Sequence, residues 1–316
     1  MPELSMRESY GRALAEYADK HPRVVALDVD TAASTLSKFF AERHPDRFLN
    51  VGIAEPCMVD IAVGLSLGGF IPFANGFAVL LALRALEQVR TCVCYARTNV
   101  KLAASFAGIS DFKDGATHYS ITDLANMRAL PNMTVVVPAD AAEAAAWVPV
   151  VAEHDGPVYL RLSRAPALPV YAPGTPLVIG KGLRLRDGGD VALITLGAMT
   201  GRCLAAADRL AADGIEARVL ELPTLKPLDH DLIVRAAKET GAIVTAEEHS
   251  VLGGLGGAVA ETLGTSLPTP LECVGIRDVF CPTGRNLDVL MDACGLSVDE
   301  IVASARRAVA RKRGRA

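Results

Sequence analysis

Four short polar clusters stand out in a chain that is half apolar: LDVDTAAS (27–34), IAEP (53–56), DGATH (114–118) and RLSR (161–164). Together they hold what proton transfer and anion binding need. They include the carboxylates Asp30, Glu55 and Asp114, joined by His118, the Ser34 hydroxyl and the Arg164 guanidinium. Glu55 raises the sharpest question, because it stands directly ahead of the nearly uncharged run PCMVDIAVGLSLGG. An ionised carboxylate in apolar surroundings costs several kcal/mol unless it is paired or protonated. Either Glu55 reaches the surface at a helix start, or something inside the protein wants a proton there. Each cluster also has a plain reading. Asp30 and Ser34 suit a helix cap, Glu55 before Pro56 a helix N-terminus, His118 a loop and Arg164 the surface.

The clusters gain weight from the elements that must carry them. RVVALDVD (23–30), NVKLAAS (99–105), MTVVVPAD (133–140) and PVYLRLS (157–163) read as buried parallel strands. Helices are expected after Glu55, over 120–130 and over 141–154. The polar clusters then fall at successive carboxyl ends of one sheet, where open α/β sheets place their sites. The proline-rich stretch 165–182 separates this half from a second run of alternation. There DVALITLGA and GAIVTAEEHS are strands, TGRCLAAADRLAADG is a helix, EARVLELPTLKPLD a strand and loop, and GGLGGAVAETLG opens a helix. The fold class is α/β, in two domains of mostly parallel sheet flanked by helices. They are expected at 1–165 and 185–316 with a linker over 166–184.

Composition narrows the function. A chain of 316 residues with 22% charged residues and a net charge of −4 argues against nucleic acid as a main partner. The N-terminal MPELSMRESYGRALAEYADK reads as a charged amphipathic helix rather than a signal peptide. No uncharged run long enough to span a membrane occurs, so the expected setting is the cytoplasm. The seven cysteines form no CxxC pair and read as reduced core residues, with disulfides and zinc unexpected. The basic end RRAVARKRGRA reads as a solvated helix end or an arm. GxxxxGK[ST], GxSxG and HExxH are all missing, and GGLGGAVAE lacks GxGxxG spacing, so it reads as close helix–strand packing.

The chain resembles the C-terminal half of a transketolase: a thiamine-diphosphate pyrimidine-binding domain followed by a transketolase C-terminal domain. MRESYGRAL, ALDVDTAASTLSKFFAERHPDRFLNVGIAEP, DGATHYSITDLANMRALPNMTVVVPAD, RLSR, LPTLKPLD and TAEEHSVLGGLGGAVAE carry the resemblance. It implies that Glu55 meets N1′ of the cofactor's aminopyrimidine, where a carboxyl sharing a proton activates the cofactor. It implies further that Phe73, Phe77 and Leu80 lie around the pyrimidine, and that Arg7, Ser34 and Arg164 take a sugar phosphate. Asp114 and His118 are expected to contact the sugar hydroxyls, with His118 also moving protons.

Three positions depart from the family pattern. Leu80 stands for a stacking phenylalanine, Phe106 for a histidine near the substrate's phosphate end, and Lys113 for a glutamate at the dimer interface. The diphosphate half, with its GDG motif and following asparagine, has no counterpart here, and no metal ligand is expected in this chain. The resemblance thus implies a split enzyme. A separate N-terminal subunit holds the diphosphate with Mg2+ or Ca2+, in an α2β2 heterotetramer moving a two-carbon ketol unit from a ketose phosphate to an aldehyde. A deoxyketose- or acyloin-forming synthase, a keto-acid dehydrogenase β-like subunit and a non-catalytic paralogue are the alternatives. Glu247, Glu248 and His249 in TAEEHS read as structural.

Overall fold

The computed structural model describes residues 5–171 and 174–314. Strands β1 (Val24–Asp28), β2 (Phe48–Asn50), β3 (Ile71–Phe77), β4 (Lys101–Ser105), β5 (Thr134–Val136) and β6 (Val158–Arg161) form the first sheet. In the second half lie β7 (Leu183–Arg186), β8 (Val191–Thr195), β9 (Ala217–Glu221), β10 (Thr224–Lys226), β11 (Ile243–Ser250) and β12 (Leu271–Ile276). The first sheet has the order β10-β5-β6-β4-β3-β1-β2 and the second β12-β11-β8-β9-β7. Every neighbouring pair is parallel except β10 with β5 and β7 with β9. β1, β4, β8 and β11 are buried along their whole length, as strands covered on both faces must be.

Helices Met6–Ala18 and Ala141–Glu153 pack together over one face of the first sheet, sharing a core of Tyr10, Leu14, Trp147 and Val151. The first is capped by Ser5 and the second by Asp140. Helix Glu55–Leu67 covers the other face with Met58, Val59 and Ala62, and packs against β3. Phe73 corrects an expectation. It is fully buried in the layer under the first pair of helices, beside Met6 and Tyr10, and lines no cofactor surface. It shares a strand face with Phe77, but the four-residue separation sinks it about 13 Å back along the strand.

The two halves interlock rather than meet at a clean boundary. No helix or strand lies between β6 and β7 among the described residues, yet β10 returns to extend the first sheet, with Thr224 opposite Val136. Arg161, at the end of β6, is the buried centre of the seam. It holds Asp123 at 2.7 Å and donates to the carbonyls of Ser120 and Glu248. Burial opposes ionisation of Asp123, but Arg161 and the Tyr159 hydroxyl outweigh it and hold the carboxyl below its usual range. Glu247 accepts from the backbone N–H groups of Leu255 and Gly256, and Gly254 and Gly256 leave no room for a Cβ against it. The TAEEHS segment is therefore structural, as is the close packing of the glycine-rich turn. Cys281 and Cys294 lie side by side, with their Cα atoms 6.2 Å apart. The basic C-terminal stretch is the packed end of helix Val298–Arg313, where Arg307 and Arg311 pair with Glu272.

A second buried acidic cluster ties the linker down. Asp140 accepts from the N–H groups of Val170 and Tyr171, Glu143 from Trp147 Nε1, and Glu221 from the Tyr171 hydroxyl. Burial pushes Glu143 up to about 7, and burial with repulsion from Glu143 raises Glu221 as well, so the pair holds a proton near neutrality. Folding therefore takes up a proton here. The stability it adds is complete below the ordinary glutamate value of 4.5 and is lost as pH rises through about 7. Glu221→Gln mimics the protonated acid. At pH 8 it should be more stable than the wild type by roughly 1–2 kcal/mol, the gap closing toward pH 5. Urea unfolding across that range checks this; parallel pH profiles would contradict it.

Candidate active site

The carboxyl ends of β1, β2, β3, β4 and β6 all deliver residues to one edge of the first sheet. Ser34 follows β1, Glu55 follows β2, Phe77 ends β3, Phe106 follows β4 and Arg164 follows β6. Glu55 is the first residue of helix Glu55–Leu67, in the turn where helix dipole and free N–H groups favour a negative charge. Its side chain is only 1% exposed. It is not unpaired: Arg84 Nη1 donates to it at 3.0 Å. Arg84 ends the π-helical turn Leu80–Arg84, a wide turn of the kind common at functional sites. That pairing answers the question Glu55 poses, since a carboxylate removed from water has a guanidinium to meet it. Arg84 itself is about half exposed, at 51%, so part of its charge remains in water.

A second group of side chains gathers around Phe106. Its ring lies 4.2 Å from Phe77, centroid to centroid, and the guanidiniums of Arg7 and Arg164 stand over it at 4.8 and 5.3 Å. Phe106 has φ +61°, in the left-handed region, a strain of roughly 1–3 kcal/mol that surrounding contacts must hold. Arg7 donates to the Ser34 carbonyl, so Ser34 contributes its backbone here. Arg164 pairs with buried Asp111, and its N–H donates to Ser110. Burial, and then repulsion from Arg164, lowers Arg7 to about 10, which leaves it charged at neutral pH. Burial and a hydrogen bond from Asp114 raise Asp111 against the pull of Arg164.

His118 stands edge-on to Phe77 at 6.2 Å, and its Nδ1 shares a hydrogen bond with Thr117. Asp114 is exposed and Leu80 half-buried, while Lys113 is exposed with its ammonium over the Phe112 ring. The structure thus brings Arg7, Phe77 and Arg164 around the Phe106 ring, with Ser34 bonded to Arg7 and His118 edge-on to Phe77, and pairs Glu55 with Arg84. It excludes Phe73. Arg84 and Asp111 were missed from sequence. Arg84 is a lone charge in an apolar stretch, a signal that a buried carboxylate upstream needs a partner. Asp111 sits inside SFAGISDFKDGATH with nothing local to single it out.

A buried carboxylate at a helix start, beside a π-helical turn, thus sits at the carboxyl edge of an α/β sheet, where such folds place their ligands. Comparison with known proteins supplies the family. The family described as "Transketolase, pyrimidine binding domain" matches residues 2–167 and "Transketolase, C-terminal domain" residues 180–301. The 6-deoxy-6-sulfo-D-fructose transketolase subunit of a Clostridium strain is 43% identical, over 99% of this chain and 97% of its own length. An apulose-4-phosphate transketolase subunit from Phocaeicola vulgatus is 37% identical, over 90% and 92%. A solved split-gene transketolase, an inactive beta4 tetramer, superposes with a TM-score of 0.91 at 47% identity, covering 98% of this chain and all of its own. The chain belongs to the transketolase family, as the C-terminal subunit of a two-component transketolase-like transferase.

The loop that carries this site is pinned by the other half of the chain. Ile109 N–H donates to the Glu248 carboxylate at 2.7 Å, and Gly108, at φ +64°, has Glu248 atoms 2.4 Å from where a Cβ would stand. Gly108→Ala should therefore cost about 2–4 kcal/mol. Gly64→Ala, with open space around it, is the control and should be near neutral or stabilising. Urea midpoints of the two variants decide; equal midpoints would show that the loop is not held this way.

Proposed function

We propose that this chain supplies the pyrimidine-binding half of a transketolase site that a separate N-terminal subunit completes with the diphosphate and a Mg2+ or Ca2+ ion. The observation that carries the reading is Glu55, buried at the sheet edge, with the arginine-flanked Phe106 cluster on neighbouring strand ends. The residues fit the cofactor. Glu55 offers a nearly dehydrated carboxyl for a ring nitrogen, and half-buried Phe77 and Leu80 offer apolar surface for a flat ring. When bound, thiamine diphosphate supplies the electron sink for breaking a bond next to a carbonyl.

The chain's own residues would bind, orient and move protons. Arg7 and Arg164 take the terminal anion of a ketose; relatives named for a sulfo-sugar and for a sugar phosphate agree with either anion. Asp114 orients the sugar hydroxyls. His118 Nε2 takes the O3 proton as the C2–C3 bond breaks and the shorter aldehyde leaves. The two-carbon unit is joined to the acceptor's aldehyde carbon, whose oxygen gains a proton. With the cofactor bound, Glu55 would share a proton with the ring nitrogen, and Arg84 would hold its carboxyl in place.

Ile53 and Leu83, 77% and 52% exposed, lie beside Glu55 and Arg84 in sequence and present apolar surface for a neighbouring subunit. An α2β2 heterotetramer accounts for that surface and for the missing diphosphate side. Among the described residues no helix can cross a membrane. Cys57, Cys92, Cys94, Cys203 and Cys273 are free, which favours a cytoplasmic setting. In the co-expressed complex, Glu55→Gln should lower kcat by about 10²–10⁴-fold while assembly is unchanged. The purified chain alone should bind thiamine diphosphate weakly or not at all by calorimetry. Near-normal turnover by the variant, or tight binding by the single chain, would refute the reading.

A further inference from the structure

We propose that the cluster of Arg7, Phe106 and Arg164 selects ketose donors whose terminal group is a monoanion, a sulfonate rather than a phosphate, and that Asp111 sets this preference. The inference rests on the transferase reading above and adds the charge of the substrate to it. Its basis is a charge count over side chains that touch. Two guanidiniums face the Phe106 ring, and Asp111, only 3% exposed, neutralises one of them by pairing with Arg164. Glu8, next to Arg7, is paired with Arg12. Asp114 lies nearby but is exposed, so water screens its charge. The cluster therefore presents one uncompensated positive charge.

It is also short of donors. Phe106 has none, and Arg7 spends Nη1 on the Ser34 carbonyl. Arg7 Nε is buried away from solvent and has no hydrogen-bond partner among the described residues, so it adds no accessible donor. A sulfonate carries one negative charge and needs no more than this. A phosphate monoester carries about −1.5 to −2 at pH 7 and is best met by more donors and more positive charge. Its second charge would face the Asp111 carboxylate.

The test uses the chain co-expressed with its N-terminal partner. Its donors are 6-deoxy-6-sulfo-D-fructose and D-fructose 6-phosphate, with glycolaldehyde as the common acceptor and erythrulose read by mass. The readout is the ratio of kcat/KM between donors, which does not depend on the active fraction of a preparation. The wild type should favour the sulfonate by about tenfold, and Asp111→Asn should shrink that ratio by about tenfold, mainly by raising the phosphate value. A wild-type ratio at or below one overturns the inference, as does a ratio that Asp111→Asn leaves unchanged. If Asp111→Asn fails to assemble, Phe106→His decides instead: by adding a donor it should shrink the same ratio, and an unchanged ratio is again fatal. A wild type that turns over neither donor removes the transferase reading itself, a result distinct from a preference for phosphate.

Discussion

Arg161 is buried where β6, the Asp123 helix and β11 converge, and the active-site edge depends on how its charge is met. Asp123 takes it in a two-point pair, and the carbonyls of Ser120 and Glu248 accept the remaining N–H groups. A pair of charges removed from water adds little net stability, but losing one partner costs about 3–5 kcal/mol, so the arrangement works as a registration device. It joins three segments that are far apart in sequence. Glu248, held beside it, accepts from Ile109, and so the loop that presents Phe106, Asp111, Asp114 and His118 takes its shape from the second domain. This gives that domain a part in shaping the site.

Two carboxylates at the sheet edge show how environment divides labour. Glu55 and Asp111 are both buried and both answered by an arginine. Arg84 is half in water, so Glu55 keeps a partner with part of its charge solvated and can serve a ring nitrogen. Asp111 sits in a cluster of opposed charges, where on the proposed reading it tempers Arg164 and leaves Arg7 as the stronger anion site. On the proposed reading, the same residue types serve proton chemistry in one place and charge selection in the other.

The half-site character of the chain has a physical counterpart on its surface. Ile53 and Leu83 are exposed beside a carboxylate that is fully buried. An enzyme that needs a dry, two-sided cofactor site can be split between chains only if each half keeps its own side preformed. The wide π-helical turn that delivers Arg84 is such a preformed feature.

Much of the architecture was legible in the sequence, because buried parallel strands write themselves as short apolar runs and helices as capped periodic ones. β1, β4, β5, β6, β8, β9 and β11 were all readable, as were Glu55 as a buried acid and the clustering of polar residues at strand ends. β2 and β3 were not: β2 is three residues long, and β3 lay inside an apolar stretch whose helix and strand parts look alike. Phe73 was placed too near the sheet edge for a related reason, since residue type does not say how far along a strand a side chain is covered. The return of β10 to the first sheet, the Arg84–Glu55 and Asp111–Arg164 pairs, and the stacking of both site arginines on Phe106 were decided only in three dimensions. Each contact joins residues about 30 to 100 positions apart. Local chemistry determines which groups are present, but which charge meets which depends on how the strands are ordered, and that order is set by packing across the whole chain.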